Sequence, residues 1–222
     1  MAHDTKIDKT RLHVYSDFDG TITTRDTIVY LASTIGGGEQ MVSAIGRLIR
    51  EGKLSLRDAI AAEMRSIRAP MVEAEKLLRE NVTLDDGFLE FVAYLKESEI
   101  PLTILSAGFH QLIKLFLPAE DFPHLKIFAN NLQPNERIGW QCEFNDKTEF
   151  GHDKSKVLKD ARARGEYVVF IGDGFSDRAP ASVADEVLAK HRLVEYCEAN
   201  GIFCHEYQNF HDVLRILKER ME

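Results

Sequence analysis

The spacing of apolar positions changes twice along the chain, and each change marks a boundary in the expected fold. Leu12 to Tyr15 is a β-branched and aromatic run of buried-strand character, ending in Asp17 and Asp19 with Gly20 directly behind. The spacing then becomes helical. Ile28, Leu31, Ala32 and Ile35 share one face that Gly36-Gly37-Gly38 closes, and Met41, Val42, Ile45, Leu48 and Ile49 make a second stripe ending at Gly52. Ala59, Ile60, Met64 and Ile67 make a third, and Pro70 opens a fourth carrying Val72, Leu77 and Leu78. Four short amphipathic helices with no strand among them are expected to bury their stripes against each other, as a helical-bundle cap over residues 25–83.

After residue 84 helix and strand alternate. Phe88, Phe91, Val92 and Leu95 define a helix face, Pro101 to Ser106 reads as a strand, and Gly108 opens a helix that Pro118 ends. Leu125 to Ala129 is a strand, Leu132 to Phe144 irregular or hairpin chain around Trp140, and His152 to Arg164 a helix. Tyr167 to Ile171 and Glu186 to Ala189 complete the strands. This order implies an α/β fold: a doubly wound, Rossmann-like parallel sheet with right-handed crossovers, built from residues 1–24 and 84–222.

In such sheets ligands bind beyond the carboxyl ends of the strands, so the residues placed there are the candidate chemistry. Asp17 and Asp19 suggest a metal and a reacting group. Turn formation is the plain alternative for an Asp-Gly pair. A calcium loop is excluded, since Ile22 replaces the required glycine and Ile28 the bidentate Glu. Gly172-Asp-Gly-Phe-Ser-Asp177 follows another buried run and makes Asp173 the next metal candidate. Ser106, with a helix amino terminus nearby, can hold phosphate oxygens, and Lys154 can neutralise a phosphoryl group as a point charge.

Composition narrows the partners. With 222 residues, 44% hydrophobic and 29% charged, the chain reads as a soluble globular protein, and its net charge of -8 argues against nucleic acid. Met1 to Arg11 is polar, and no stretch has the length of a membrane span, so neither a signal peptide nor a membrane partner is expected. Cys142, Cys197 and Cys204 form no metal-like cluster and point to a reducing cytoplasm.

Together Asp17-Phe-Asp-Gly-Thr-Ile22, Ser106, Lys154 and Gly172-Asp-Gly-Phe-Ser-Asp177, in this order, resemble the haloacid dehalogenase superfamily, and the helical insertion resembles the cap of its phosphoserine phosphatase-like branch. The resemblance implies a phosphomonoester hydrolase with Asp17 as nucleophile, Asp19 as general acid and base, and Lys154 in the catalytic set. It implies Mg²⁺ on Asp17, Asp19 (through its backbone carbonyl) and Asp173, with Asp177 near the metal or orienting Lys154. Ser106, Ala107 and Gly108 would bind the phosphoryl oxygens, and Arg25 and Asp26 the rest of a small phosphorylated metabolite. Within the branch the sequence is most similar to the methionine-salvage phosphatases acting on 2-hydroxy-3-keto-5-methylthiopentenyl-1-phosphate, which share Asp26. Phosphoserine phosphatases carry a carboxylate-clamping Arg that aligns with Ala61, although Arg57 or Arg65 could substitute. Phosphoserine hydrolysis, phosphoryl transfer to a second alcohol and a non-catalytic binding module are the alternatives. Oligomeric state is not readable.

Overall fold

The computed structural model describes residues 6–221; residues 1–5 of the polar stretch Met1 to Arg11 lie outside the described residues. β1 (Leu12–Ser16) leads into α1 (Thr27–Ile35), α2 (Gly38–Arg50), α3 (Leu56–Ser66) and α4 (Met71–Asn81). α5 (Phe88–Glu97), β2 (Leu102–Phe109), α6 (His110–Ile113), β3 (Lys126–Gln133) and β4 (Gln141–Glu143) follow. α7 (Lys154–Ala163), β5 (Tyr167–Gly172), α8 (Arg178–Ala181), β6 (Glu186–Ala189), α9 (Arg192–Asn200), β7 (His205–Glu206) and α10 (Phe210–Met221) complete the chain.

Among the described residues the strands form one sheet in the order β4-β3-β2-β1-β5-β6-β7. All neighbours are parallel except β3 and β4, whose antiparallel pairing resolves Leu132 to Phe144 as a hairpin. One face of the sheet packs Val14, Ile104 and Val169 against Phe91, Leu95, Phe210 and Leu214 of α5 and α10. The other packs Tyr15, Leu105 and Phe170 against Leu158, Leu193 and Cys197 of α7 and α9. Both faces are therefore covered, as the near-continuous apolar strands require.

α1 to α4 do not close a core on themselves. Leu31, Ile60, Met64, Ile67 and Leu78 share one cluster with Ala107 and Phe109 of β2, Leu132 of β3 and Trp140. Trp140 is fully buried, and its indole N–H donates to the Ala69 carbonyl at 2.9 Å. Four short helices offer too little apolar surface to be self-sufficient, and the hairpin supplies the rest.

Two chain passages join these helices to the sheet, and they pair with each other. Thr23 and Leu84 form an antiparallel bridge, and the Thr24 N–H donates to the Thr83 carbonyl at 2.9 Å. Just below, buried Asp85 takes the Lys190 ammonium on one oxygen at 2.8 Å and the Phe210 N–H on the other at 2.9 Å. Lys190 also donates to the Thr21 carbonyl at 3.2 Å, so the passage, the loop after β1 and the start of α10 are tied at one point.

Candidate active site

β1 and β5 run side by side in register to Ser16 opposite Ile171, and the Asp17 N–H donates to the Ile171 carbonyl at 2.9 Å. This pairing brings Asp17 beside the turn that carries Asp173 and Asp177. Gly20, at φ +79°, lets the chain turn back here, and a Cβ on it would come within 2.8 Å of an Asp173 carboxylate oxygen. α7 approaches from the other side. Asp153 caps it by accepting the Lys156 N–H at 3.0 Å, which makes Lys154 the first helical residue.

The Lys154 ammonium is buried and donates to Asp17 at 2.5 Å, to Asp177 at 2.8 Å and to the Ser176 hydroxyl at 3.1 Å. Burial opposes its charge, but the two carboxylates outweigh that and hold it protonated above its ordinary value. Asp177 is fully satisfied by protein donors, because its second oxygen accepts the Asp173 and Gly174 N–H groups at 3.0 Å each. It therefore positions Lys154 and braces the turn. Asp173 accepts the Thr21 hydroxyl at 3.1 Å, and its other oxygen lies 3.7 Å from His191.

One carboxylate oxygen from each of Asp17, Asp173 and Asp177 falls within 4.8 Å of the others. Lys154 alone does not balance three acids. The Asp17 carboxyl is pushed well above the ordinary carboxylate range, by burial first and the Asp177 charge next, against the pull of Lys154. An oxygen-only donor set with surplus negative charge fits a hard divalent cation.

Asp19 faces the same cavity. One oxygen accepts the Thr27 N–H at 2.9 Å and the Thr27 hydroxyl at 2.5 Å, so the first residue of α1 fixes its direction. Burial raises its pKa, and the Thr27 bonds oppose the rise. Its other oxygen takes the Ser106 hydroxyl at 3.4 Å, while Ser106 accepts the Gly108 N–H at 2.8 Å. A Cβ on Gly108 would lie 2.5 Å from Asp19, so glycine keeps this wall open.

A cavity of about 610 Å³ opens above these groups. Asp17, Asp19, Ala107, Gly108, Asp173 and Ser176 line its base; Asp26, Val29, Val42, Ile49, Ile60 and Glu63 belong to the walls of α1 to α3. Arg50, His191 and Arg192 also line it but are exposed.

Several expectations change here. Ser106 lies within β2, which runs on to Phe109 through a register shift, and α6 is only four residues long. The Ala107 to Gly108 backbone, rather than a helix amino terminus, is what stands beside the serine. Arg25 is exposed with its guanidinium 5.7 Å from the Tyr30 ring centre, off the cavity, whereas Asp26 lines it and caps α1 through the Val29 N–H at 2.9 Å. Ala61, Arg57 and Arg65 all miss the cavity, which α3 lines with Leu56, Ala59, Ile60 and Glu63. Arg57 instead donates to the Lys147 carbonyl at 2.9 Å.

Thr21, Thr27, Ser176 and Glu63 were not anticipated. Glu63 had a signal, since it stands three and four residues from Ile60 and Ala59 and so interrupts an apolar stripe. It is 6% exposed, and burial pushes its carboxyl up to about 7 from 4.5. Because the folded state holds this proton more tightly, the stability it contributes is complete below pH 4.5 and lost as pH rises through 7. Glu63→Gln should therefore gain roughly 3 kcal/mol over wild type at pH 8 and little at pH 4.5, at 1.36 kcal/mol per pKa unit over the rise from 4.5 to about 7. Urea midpoints at the two pH values check this.

Comparison with known proteins agrees with the geometry. Pdp3-interacting factor 1 of Schizosaccharomyces pombe is 31% identical over 221 residues, covering 95% of this chain and 96% of that protein. The polyol phosphate phosphatase PYP1 of Saccharomyces cerevisiae is 29% identical, with 93% and 92% covered. A 2-hydroxy-3-keto-5-methylthiopentenyl-1-phosphate phosphatase of Bacillus mycoides is 27% identical, with 95% and 98% covered. A substrate-bound phosphoserine phosphatase structure superposes with a TM-score of 0.72 at 21% identity over 94% of this chain and 99% of that one, a likeness of fold. The profile of the haloacid dehalogenase-like hydrolases matches residues 14–182, and with the carboxylate and lysine set at the strand ends the chain belongs to that family.

Proposed function

We propose that the chain is a Mg²⁺-dependent phosphomonoester hydrolase that works through an aspartyl phosphate on Asp17 and acts on a small neutral metabolite ester of the polyol or keto-sugar type. The observation that carries this reading is the Lys154 ammonium, buried against Asp17 at 2.5 Å and Asp177 at 2.8 Å, at the base of a cavity that Asp19 also faces. Asp17 and Asp173, with the Asp19 main-chain carbonyl, are the residues that would hold the ion, and Asp177 stands behind them. When bound, the ion supplies positive charge against the carboxylates and the phosphoryl oxygens.

An Asp17 oxygen attacks phosphorus, and the bond to the leaving oxygen breaks as Asp19 gives that oxygen its proton. The raised pKa of Asp19 suits a group that must arrive protonated. Asp19 then takes a proton from water, the water oxygen bonds to phosphorus, and the Asp17–phosphorus bond breaks to release phosphate. Lys154 and Ser106 bind the phosphoryl oxygens throughout, while the Gly108 N–H holds the Ser106 hydroxyl in place. Thr27 keeps Asp19 aimed at the leaving group in both steps.

We further assign residues 25–83 as a cap hinged at the Thr23 to Leu84 bridge. The unbridged Cys142, Cys197 and Cys204 suit a reducing cytoplasm, and among the described residues no helix is long and apolar enough to cross a membrane. Substrate choice follows from α3, whose cavity-facing residues include no cation. Without that clamp a carboxylate-bearing ester loses a charge-assisted pair, about two decades in kcat/KM at 1.36 kcal/mol per decade. A panel of phosphoserine, polyol phosphates, the methionine-salvage keto phosphate and an aryl phosphate, assayed with Mg²⁺, tests the reading. The neutral esters should lead phosphoserine by that margin; a preference for phosphoserine would overturn the substrate class.

A further inference from the structure

We infer that Glu63 is the specificity residue of the cap, accepting hydrogen bonds from hydroxyl groups on a neutral, polyhydroxylated leaving group. The inference deepens the hydrolase reading above and rests on it.

The first observation is a carboxyl in the cavity lining to which no donor among the described residues is bonded. Glu63 is 6% exposed and lines the cavity. Its main-chain carbonyl accepts the Ser66 hydroxyl at 2.6 Å, yet among the described residues no donor or cation is paired with its carboxyl. A carboxyl buried without a partner is costly, and the same helix face carries Leu56, Ala59 and Ile60, any of which would be cheaper at that place. Burial raises its pKa, and no bonded donor opposes the rise.

The second observation is the arrangement around it. Asp26 lines the same cavity as Asp19 and Glu63 and feels the charge of both. Val29, Val42, Ile49 and Ile60 supply apolar wall in the same cavity. A ligand matching this interior has O–H groups along one edge and C–H along the other, and a linear polyol or open-chain sugar has that profile. A carboxylate in the same place would find no cation among the α3 residues of the lining and, above pH 7, would meet the Glu63 charge. The lining cations Arg50 and Arg192 are exposed, unlike Glu63, and do not offset the acids within.

The test compares ribitol phosphate with an alkyl phosphate of the same chain length, which lacks the hydroxyls, and adds phosphoethanolamine and an aryl phosphate. In wild type and in Glu63→Leu and Glu63→Gln, the quantity read is the ratio of kcat/KM for the polyol ester to that for the alkyl ester. Glu63→Leu should lower the ratio by about ten- to a hundredfold, mainly through KM, the scale of one or two lost hydroxyl contacts in a dry site. Glu63→Gln keeps an acceptor and should retain most of the ratio. A ratio unchanged in Glu63→Leu, or lost equally in Glu63→Gln, would overturn the inference. A wild type that prefers phosphoethanolamine, with the preference lost in Glu63→Leu, would replace it with recognition of an ammonium. No turnover of any ester, the aryl phosphate included, would overturn the hydrolase reading and this inference with it, whereas turnover with an unchanged ratio overturns the inference alone.

Discussion

Asp17→Asn should leave less than about one part in ten thousand of wild-type turnover on any phosphomonoester, a loss of more than ~5 kcal/mol in transition-state stabilisation. An amide oxygen is a poor nucleophile toward phosphorus, so the covalent route closes, and direct attack by water has no base set on the correct side of the phosphoryl group. The variant should still fold. Lys154 keeps Asp177 at 2.8 Å and Ser176 at 3.1 Å, and the substitution removes one of the acids crowded within 4.8 Å. Unaltered circular dichroism with near-zero hydrolysis of an aryl phosphate is the expected pair of results. Near wild-type hydrolysis would remove Asp17 from the nucleophile's role.

Removal of the metal carries the second largest effect. Chelator should silence the wild type, and Asp173→Ala should cost about three decades in kcat/KM at limiting Mg²⁺, partly recovered as Mg²⁺ rises. The physical reason is the excess of acid over base around Lys154, which burial makes worse for Asp17. The same excess should make Mg²⁺ a stabiliser of the folded protein. At a hundred times its dissociation constant a ligand of the native state alone adds about 2.7 kcal/mol. Thermal melts should therefore shift upward with Mg²⁺ in the wild type and hardly at all in Asp173→Ala. Full activity in excess chelator would contradict the assignment.

Much of this site was legible because its parts are short-range. Asp17, Asp19 and Gly20 follow a strand, Gly172 ends another with Asp173 just beyond it, and parallel pairing of β1 with β5 brings the two ends together without any further information. Lys154 stands at the first position of a helix that Asp153 caps, again a local device. What the sequence did not reveal depends on packing between distant segments. Trp140 completes the core of α1 to α4 from a hairpin some seventy residues away, and periodicity within the helices has no way to report that. The clamp alignment at Ala61 failed for the same reason, since which face of α3 meets the cavity is set by Met64 and Ile67 packing behind it. Thr27 reads as an ordinary first-turn residue until the fold sets its hydroxyl against Asp19 at 2.5 Å. Glu63 was visible as an acid in an apolar stripe, but only the cavity gives that irregularity a meaning.

The covalent step is open to direct capture. An aryl phosphate has a leaving group that needs no proton, so Asp19→Asn should allow phosphoryl transfer to Asp17 and then stall, because water loses its base. Acid quench within seconds of mixing with Mg²⁺ and the aryl ester, followed by digestion and mass spectrometry, reads the phosphorylated site. The expected result is close to one phosphoryl group per chain on the peptide containing Asp17, discharged by hydroxylamine. Release of aryl alcohol with no phosphoryl group on the protein, or with the group on another residue, would contradict it.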